Sequence, residues 1–291
     1  MAKILITGGT GIVGTRLTAL LTERNHEVRI LSRNPKAVNE FKWDVPKNLI
    51  DEKALENIDF IIHLAGAGIA DKRWSNERKK VIIDSRVETA NLLYHRIKEH
   101  NISLKGFITA SGSNYYGAKT SDKIFEEKDK AGTDFLGAVC QKWEAAANQF
   151  KALEIPVAIL RTGIVLSKEG GALEKMKTPV ISPLGSGEQY MSWIHIDDLC
   201  AAYIKVIEEG FTGIYNMVSP EYHTSISFSK TLAKAIKRPY LPIAVPSFLL
   251  KLAFGELAII LLEGSRLSSD KTIKKGFVFE YKELKRALEK L

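Results

Sequence analysis

The stretch Ile4-Leu5-Ile6-Thr7-Gly8-Gly9-Thr10-Gly11-Ile12-Val13-Gly14 constrains this chain more than any other. An apolar run with the character of a strand passes through three glycines, spaced by threes, straight into a helical pattern. Val13, Leu17, Leu20 and Leu21 share one face of that helix. Few backbones satisfy such a junction. Gly8 permits a tight turn, Gly11 leaves the chain bare where a pyrophosphate would approach, and Gly14 lets the helix pack closely on the strand. The helix start adds unpaired N–H groups and a partial positive charge. A bare glycine spacing is weak evidence of a dinucleotide site; the strand before it and the helix after it supply the required context.

The alternation continues downstream. Lys3–Thr7, Glu27–Leu31, Asp59–Leu64, Gly106–Ser111 and Pro156–Arg161 read as strands. Ile12–Glu23, a long segment capped by Ser75 and running towards His100, and Asp134–Leu153 read as helices. This order predicts an α/β fold, a Rossmann-type doubly wound parallel sheet. After Arg161, glycines and prolines thicken and the pattern changes. Phe228–Ile236, Ser247–Leu262 and Lys282–Lys290 read as helices, and Gly213–Val218 as a segment returning to the sheet. The expected plan is a cofactor-binding domain over 1–163. Residues 164–291 would form mainly a smaller, substrate-facing lobe, with some segments rejoining the sheet.

Bulk properties narrow the function classes. Lys plus Arg exceed Asp plus Glu by 42 − 34 = 8, which suits an anionic ligand. The basic residues are scattered, so a nucleic-acid partner is not expected. Two cysteines, Cys140 and Cys200, allow neither a disulfide framework nor a zinc set, and no metal is expected. The most apolar late stretch, Pro246–Leu262, is interrupted by Lys251 and Glu256, so no membrane span is expected. These features place the chain in a reducing cytoplasm.

The end of the second strand addresses the cofactor. NAD-preferring sites carry an Asp or Glu there for the ribose 2′-hydroxyl. This chain has Ser32 and Arg33, a hydroxyl and a guanidinium suited to a 2′-phosphate, with Lys36 nearby. NADP(H) is therefore the expected cofactor, ahead of NAD(H).

Several further segments converge on a family. His63-Leu64-Ala65-Gly66-Ala67, Thr109-Ala110-Ser111-Gly112-Ser113-Asn114-Tyr115-Tyr116-Gly117 and Trp193-Ile194-His195-Ile196-Asp197-Asp198 resemble the extended short-chain dehydrogenases/reductases. Asp84-Ser85-Arg86-Val87, Lys142-Trp143-Glu144-Ala145-Ala146, Arg161-Thr162-Gly163 and the ending Gly276-Phe277-Val278-Phe279 narrow this to an atypical branch, the YfcH-like epimerase family proteins. The resemblance covers essentially the whole chain. It implies an NAD-dependent epimerase/dehydratase fold. It also implies cofactor contacts from Thr10, Ile12 and Val13 in the loop, and from Leu64, Ala65, Gly66 and Arg86.

The usual chemistry of that family is missing. Its typical members carry a Tyr general acid/base and, four residues on, a Lys that lowers the Tyr pKa. Aligned on the Lys142-Trp143-Glu144 segment, Cys140 stands at the Tyr position and Glu144 at the Lys position. The catalytic candidates are then Ser111 and Ser113 at the end of a parallel strand, Tyr115 and Tyr116 in the following loop, and Cys140. Glu144 could orient Arg86, Lys142 or a ribose hydroxyl. Arg161 and Arg266 are either anion grips or ordinary ion-pair partners, while Arg73 and Trp74 are placed to line a pocket. His195 reads as a structural residue near Asp197 and Asp198. The expected activity is an NADP(H)-dependent oxidoreductase or epimerase/dehydratase-like enzyme acting on a small polar carbonyl or sugar-derived molecule. The alternative is a non-catalytic NADP(H)-binding regulatory or interaction protein. The sequence leaves a homodimer open.

Overall fold

The computed structural model describes residues 1–291. In chain order the strands are β1 (Lys3–Thr7), β2 (Glu27–Ser32), β3 (Glu40–Asp44), β4 (Leu49–Ile50), β5 (Phe60–His63), β6 (Gly106–Gly112), β7 (Ile124–Phe125), β8 (Val157–Thr162), β9 (Ile164–Leu166), β10 (Trp193–His195), β11 (Gly213–Met217) and β12 (Arg266–Leu267). The helices are α1 (Ile12–Glu23), α2 (Asn76–Glu99), α3 (Phe135–Asn148), α4 (Ala172–Met176), α5 (Ile196–Glu209), α6 (Ser225–Ala235), α7 (Ser247–Phe254), α8 (Ile259–Leu262), α9 (Asp270–Lys274) and α10 (Leu284–Lys290).

Eight strands form the main sheet in the order β11-β8-β6-β5-β1-β2-β3-β4. All neighbours are parallel except β3 and β4. Strand alternation divides the core between the two faces. Ile4 and Ile6 of β1 join Leu17 and Leu21 of α1 and Tyr203 of α5, whereas Leu5 joins Leu93 of α2 and Phe150 after α3. The chain leaves β1 towards β2 on one side, while β5 pairs with β1 on the other. The C-terminal ends of β1 and β5 therefore flank the switch point where such sheets bind ligands.

The C-terminal part contributes to both regions. β11 extends the main sheet, and α5, Phe277 and Phe279 pack into its core. A separate cluster of Leu166, Leu173, Trp193, Phe228, Leu232 and Leu284 builds the smaller lobe. Three elements differ from the sequence reading. Strand β3 (Glu-Phe-Lys-Trp-Asp) alternates polar and apolar residues over only five positions, and pairing with β2 on one side and β4 on the other makes it a strand. Helix α5 begins on an unusual cap, in which His195 Nδ1 accepts from the Asp197 N–H at 3.2 Å. Asp197 and Asp198 then favour the positive end of its dipole. The segment 247–262 is not one helix: α7 stops at Gly255, whose φ of +61° suits glycine, and a tighter turn leads into α8.

Candidate functional site

The glycine loop is fixed by close backbone approach. Gly8 has φ +70°, and a Cβ there would lie 2.9 Å from the Leu64 carbonyl group. A Cβ on Gly14 would lie 2.4 Å from the Gly8 oxygen. Gly11 differs, because a Cβ on it would meet only that oxygen, at 3.3 Å, and its other sides are open. Gly11 is also the N-cap of α1, which has no side-chain cap and no acid in its first turn. The N–H groups that open α1, at Ile12, Val13 and Gly14, therefore have no anionic partner from the chain. Ile12 and Val13 pack their side chains against the core.

His63 ties this loop to the neighbouring strand. Its Nδ1 accepts from the Thr7 hydroxyl at 2.8 Å, and Thr7 Oγ1 accepts from the Ala65 N–H at 3.2 Å. His63 Nε2 donates to the Arg86 carbonyl at 3.2 Å. Complete burial lowers the imidazole pKa to about 4, so the ring is neutral. Beneath the next turn lies Arg86, 6% exposed, donating to the carbonyls of Ala67 (3.0 Å) and Ile82 (2.8 Å). Its guanidinium faces the Trp143 ring at 4.8 Å and has no carboxylate partner; burial lowers its pKa to about 10. A Cβ on Gly66 would come within 2.9 Å of the Arg86 Cζ, so the Leu64–Gly66 turn rests directly on this cation.

A cleft of about 1830 Å³ runs over these parts. Gly8, Thr10 and Gly11 line it on one side, Leu64, Ala65 and Gly66 on another, and Ser32 and Arg33 at the end of β2. Ser32 is half-buried and Arg33 exposed. Lys36 and Lys42 also border the cleft, and Lys42 Nζ donates to the Arg33 carbonyl. Two acids border the cleft beside these lysines: Glu40 accepts from the Lys36 N–H at 3.0 Å, and Asp44 pairs with Lys47 at 3.6 Å. Arg86 supports the cleft from behind and is not part of its lining.

The catalytic candidates separate into two groups. Ser111 Oγ donates to Glu144 Oε1 at 2.7 Å. Arg161 forks onto both oxygens of Glu144, with Nε to Oε1 and Nη2 to Oε2 at 2.8 Å each. Arg161 also donates to the Tyr116 hydroxyl at 2.9 Å, which in turn donates to Asn216 Oδ1 at 2.8 Å. Arg161 is 1% and Glu144 5% exposed. Burial opposes the Arg161 charge, but the Glu144 bonds outweigh it and raise the pKa. Glu144 thus pairs with Arg161 rather than with Arg86 or Lys142, and Lys142 faces solvent on the opposite side of α3. Burial pushes the Tyr116 phenol up to about 12 and the Cys140 thiol up to about 11. Cys140 Sγ contacts the Gly112 carbonyl at 3.8 Å.

Ser113 and Tyr115 form the second group. Both are half-buried, and neither side-chain hydroxyl has a partner within the chain. The Tyr115 ring lies over the Arg161 guanidinium at 3.3 Å, which holds it in place. Asn216, missed in the sequence reading, is the pivot of the buried network: its Nδ2 donates to the Phe125 and Ser268 carbonyls at 3.4 and 3.1 Å. No local signal marks it, because its partners lie more than fifty residues away. Of the other residues singled out, Arg266 donates to the Asp122 carbonyl and sits between Tyr190 and Tyr222. His195 stacks on Tyr281 at 3.8 Å.

Comparison with known proteins agrees with this architecture. The model of the NAD dependent epimerase/dehydratase family matches residues 4–217, and that of a domain of unknown function, DUF1731, matches 245–291. An epimerase family protein of Staphylococcus aureus (strain NCTC 8325) is 36% identical over 100% of this chain and 99% of its own length. One from Mycobacterium bovis is 35% identical over 99% of this chain and 96% of its own. The crystal structure of the human epimerase family protein SDR39U1 (isoform 2), solved with NADPH, superposes with a TM-score of 0.88. It is 32% identical and covers 99% of this chain and 98% of its own. Full-length similarity of sequence and structure gives the conclusion that this chain belongs to the NAD dependent epimerase/dehydratase family.

Proposed function

We propose that this protein binds NADP(H) in the cleft over β1, β2 and β5 and acts as an oxidoreductase on a small carbonyl compound. The observation that carries the reading is the combination at the rim: an uncapped helix start at Gly11, and Arg33 with Lys36 and Lys42 where an NAD site would place an acid. The full-length likeness to a protein solved with NADPH supports it. The residues fit the cofactor. Gly11 leaves room for a pyrophosphate against the N–H groups of α1, and the β2 cations suit a 2′-phosphate. The Leu64–Gly66 turn, braced by Arg86, would form the opposite wall.

Bound NADP(H) supplies hydride transfer at the nicotinamide. The chain must provide positioning and a proton donor. Among the candidates, Tyr115 fits best: its hydroxyl has no internal partner and its ring is held on Arg161. Ser113 is placed to orient a substrate oxygen. Ser111, Tyr116 and Cys140 lie in the buried layer beneath and act as supports. We place the protein in a reducing compartment such as the cytoplasm, since both cysteines are free; no helix is long and apolar enough to cross a membrane.

Calorimetric titration with NADPH and NADH tests the reading. NADPH is expected to bind at least about tenfold more tightly, as a charge-assisted contact to the 2′-phosphate implies. Equal affinities refute the preference, and absence of binding by both refutes the site. A non-catalytic NADP(H)-binding role is the second reading, favoured by the loss of an accessible acid at Cys140. Oxidation of bound NADPH by any member of a carbonyl panel excludes it.

A further inference from the structure

A second cavity, of about 720 Å³, shares the 68–79 segment with the dinucleotide cleft. Gly68, Asp71 and Arg78 line the cleft, while Trp74 and Lys79 line the cavity. Its apolar wall is Trp74, Phe135, Leu136, Ala258, Ile259 and Leu262. Trp74 is held by a bond from Nε1 to the Ile69 carbonyl (3.0 Å), and its ring meets Phe135 edge-on at 4.9 Å. Asp134 to Leu136 open α3, whose next turns carry Cys140 and Glu144 against the end of β6. The cavity is thus built beside the C-terminal ends of the sheet, where folds of this kind hold their substrates.

The charges on this wall discriminate between ligand classes. Asp134 accepts from the N–H groups of Gly137 (2.8 Å) and Ala118 (2.6 Å), and Glu263 accepts from that of Thr120 (2.9 Å). Glu256 pairs with Lys79, which also faces the Phe135 ring at 5.3 Å. Lys251 alone has neither an ion pair nor a side-chain hydrogen bond. A nucleotide sugar would bring a doubly charged pyrophosphate and many hydroxyls, each needing a partner. Besides Asp134 and Glu263, both turned onto backbone N–H groups, and the Lys79–Glu256 pair, this wall offers one unpaired ammonium on the exposed Lys251, two serine hydroxyls and mostly apolar surface.

We propose that the cavity binds the body of the substrate, and that this body is an aromatic or branched apolar group carrying a single carboxylate that pairs with Lys251. The proposal rests on the NADP(H) reading for its chemistry and gives that same site a substrate class. Two flat rings and four aliphatic side chains suit such a body, and the unpaired ammonium suits one anion.

The test is calorimetry on protein saturated with NADP⁺, under which a keto acid binds without turnover. NADP⁺ is titrated first, so failure of the cofactor site is seen by itself. Phenylpyruvate and 4-methyl-2-oxopentanoate are then titrated, with UDP-glucose as the contrasting probe. At least one keto acid is expected to bind and UDP-glucose is not. Lys251→Gln should weaken keto-acid binding about tenfold, the order expected of one charge-assisted bond. Ile259→Glu, at a partly exposed position, should weaken it further by placing a carboxylate on the apolar wall. Both variants should retain the parental NADP⁺ affinity, which verifies that they fold. Normal NADP⁺ binding with no keto-acid binding overturns the proposal, as does parental keto-acid binding in either variant or tighter binding of UDP-glucose.

Discussion

Replacing Glu144 by Gln keeps the shape of the side chain and removes its charge, which makes it a direct probe of the buried layer under the site. In the parent, three bonds of 2.7–2.8 Å converge on this carboxylate, from Ser111 and from two nitrogens of Arg161. The amide of Gln would keep one acceptor and turn an N–H group towards donors. Arg161, 1% exposed, would then be a buried cation without its counter-ion. Breaking one side of such a pair costs about 3–5 kcal/mol. Arg161 retains the Tyr116 hydroxyl, the Glu127 carbonyl and the Tyr115 ring, so the lower end, about 3 kcal/mol, is expected. Urea unfolding followed by far-ultraviolet circular dichroism measures this, provided the m-value is unchanged. The double change Glu144→Met with Arg161→Met should show a coupling energy above about 1 kcal/mol, because neither charge is then stranded. A loss under about 1 kcal/mol for Glu144→Gln, or additivity in the double variant, would refute the view that this pair holds β6, α3 and β8 together.

Other outcomes can be checked in parallel. Arg33→Asp should reduce NADPH affinity by about tenfold or more while leaving NADH affinity little changed, read by calorimetry. Gly11→Val should fold but lose most of the NADPH-induced rise in melting temperature, whereas Gly14→Ala should itself lower the melting temperature, because its Cβ meets backbone at 2.4 Å. Tyr115→Phe should lower turnover by roughly 10²-fold or more once a substrate is in hand, with unchanged stability. Tyr116→Phe should instead cost about 1–3 kcal/mol of stability, since it leaves Asn216 and Arg161 short of a partner. His63 binds a proton more readily unfolded, near its ordinary 6.5, than folded, at about 4. Its contribution is therefore full above pH 6.5 and is lost as pH falls towards 4, by about 3 kcal/mol. His63→Asn should flatten that part of the pH–stability curve.

The sequence alone determined the parts whose cause is local. Periodicity located β1, α1, β2, α2, β6 and β8 to within a few residues, because side-chain spacing and caps such as Ser75 act over one or two turns. The glycine spacing located the tight turn between β1 and α1 for the same reason, and Ser32-Arg33 marked the end of β2 without any tertiary information. What the local chain could not convey was which polar groups meet. Ser111, Tyr116 and Cys140 looked equivalent to Ser113 and Tyr115, since each lies near the end of β6 or on α3. Only packing separated them, by bringing Glu144, Arg161 and Asn216 together and burying the first group against them, through bonds that span 17 to 100 residues of chain. The same holds for the unpaired Lys251 and the Trp74–Phe135 wall. Whether a charge is free depends on every element packed around it, and that is decided by the tertiary structure.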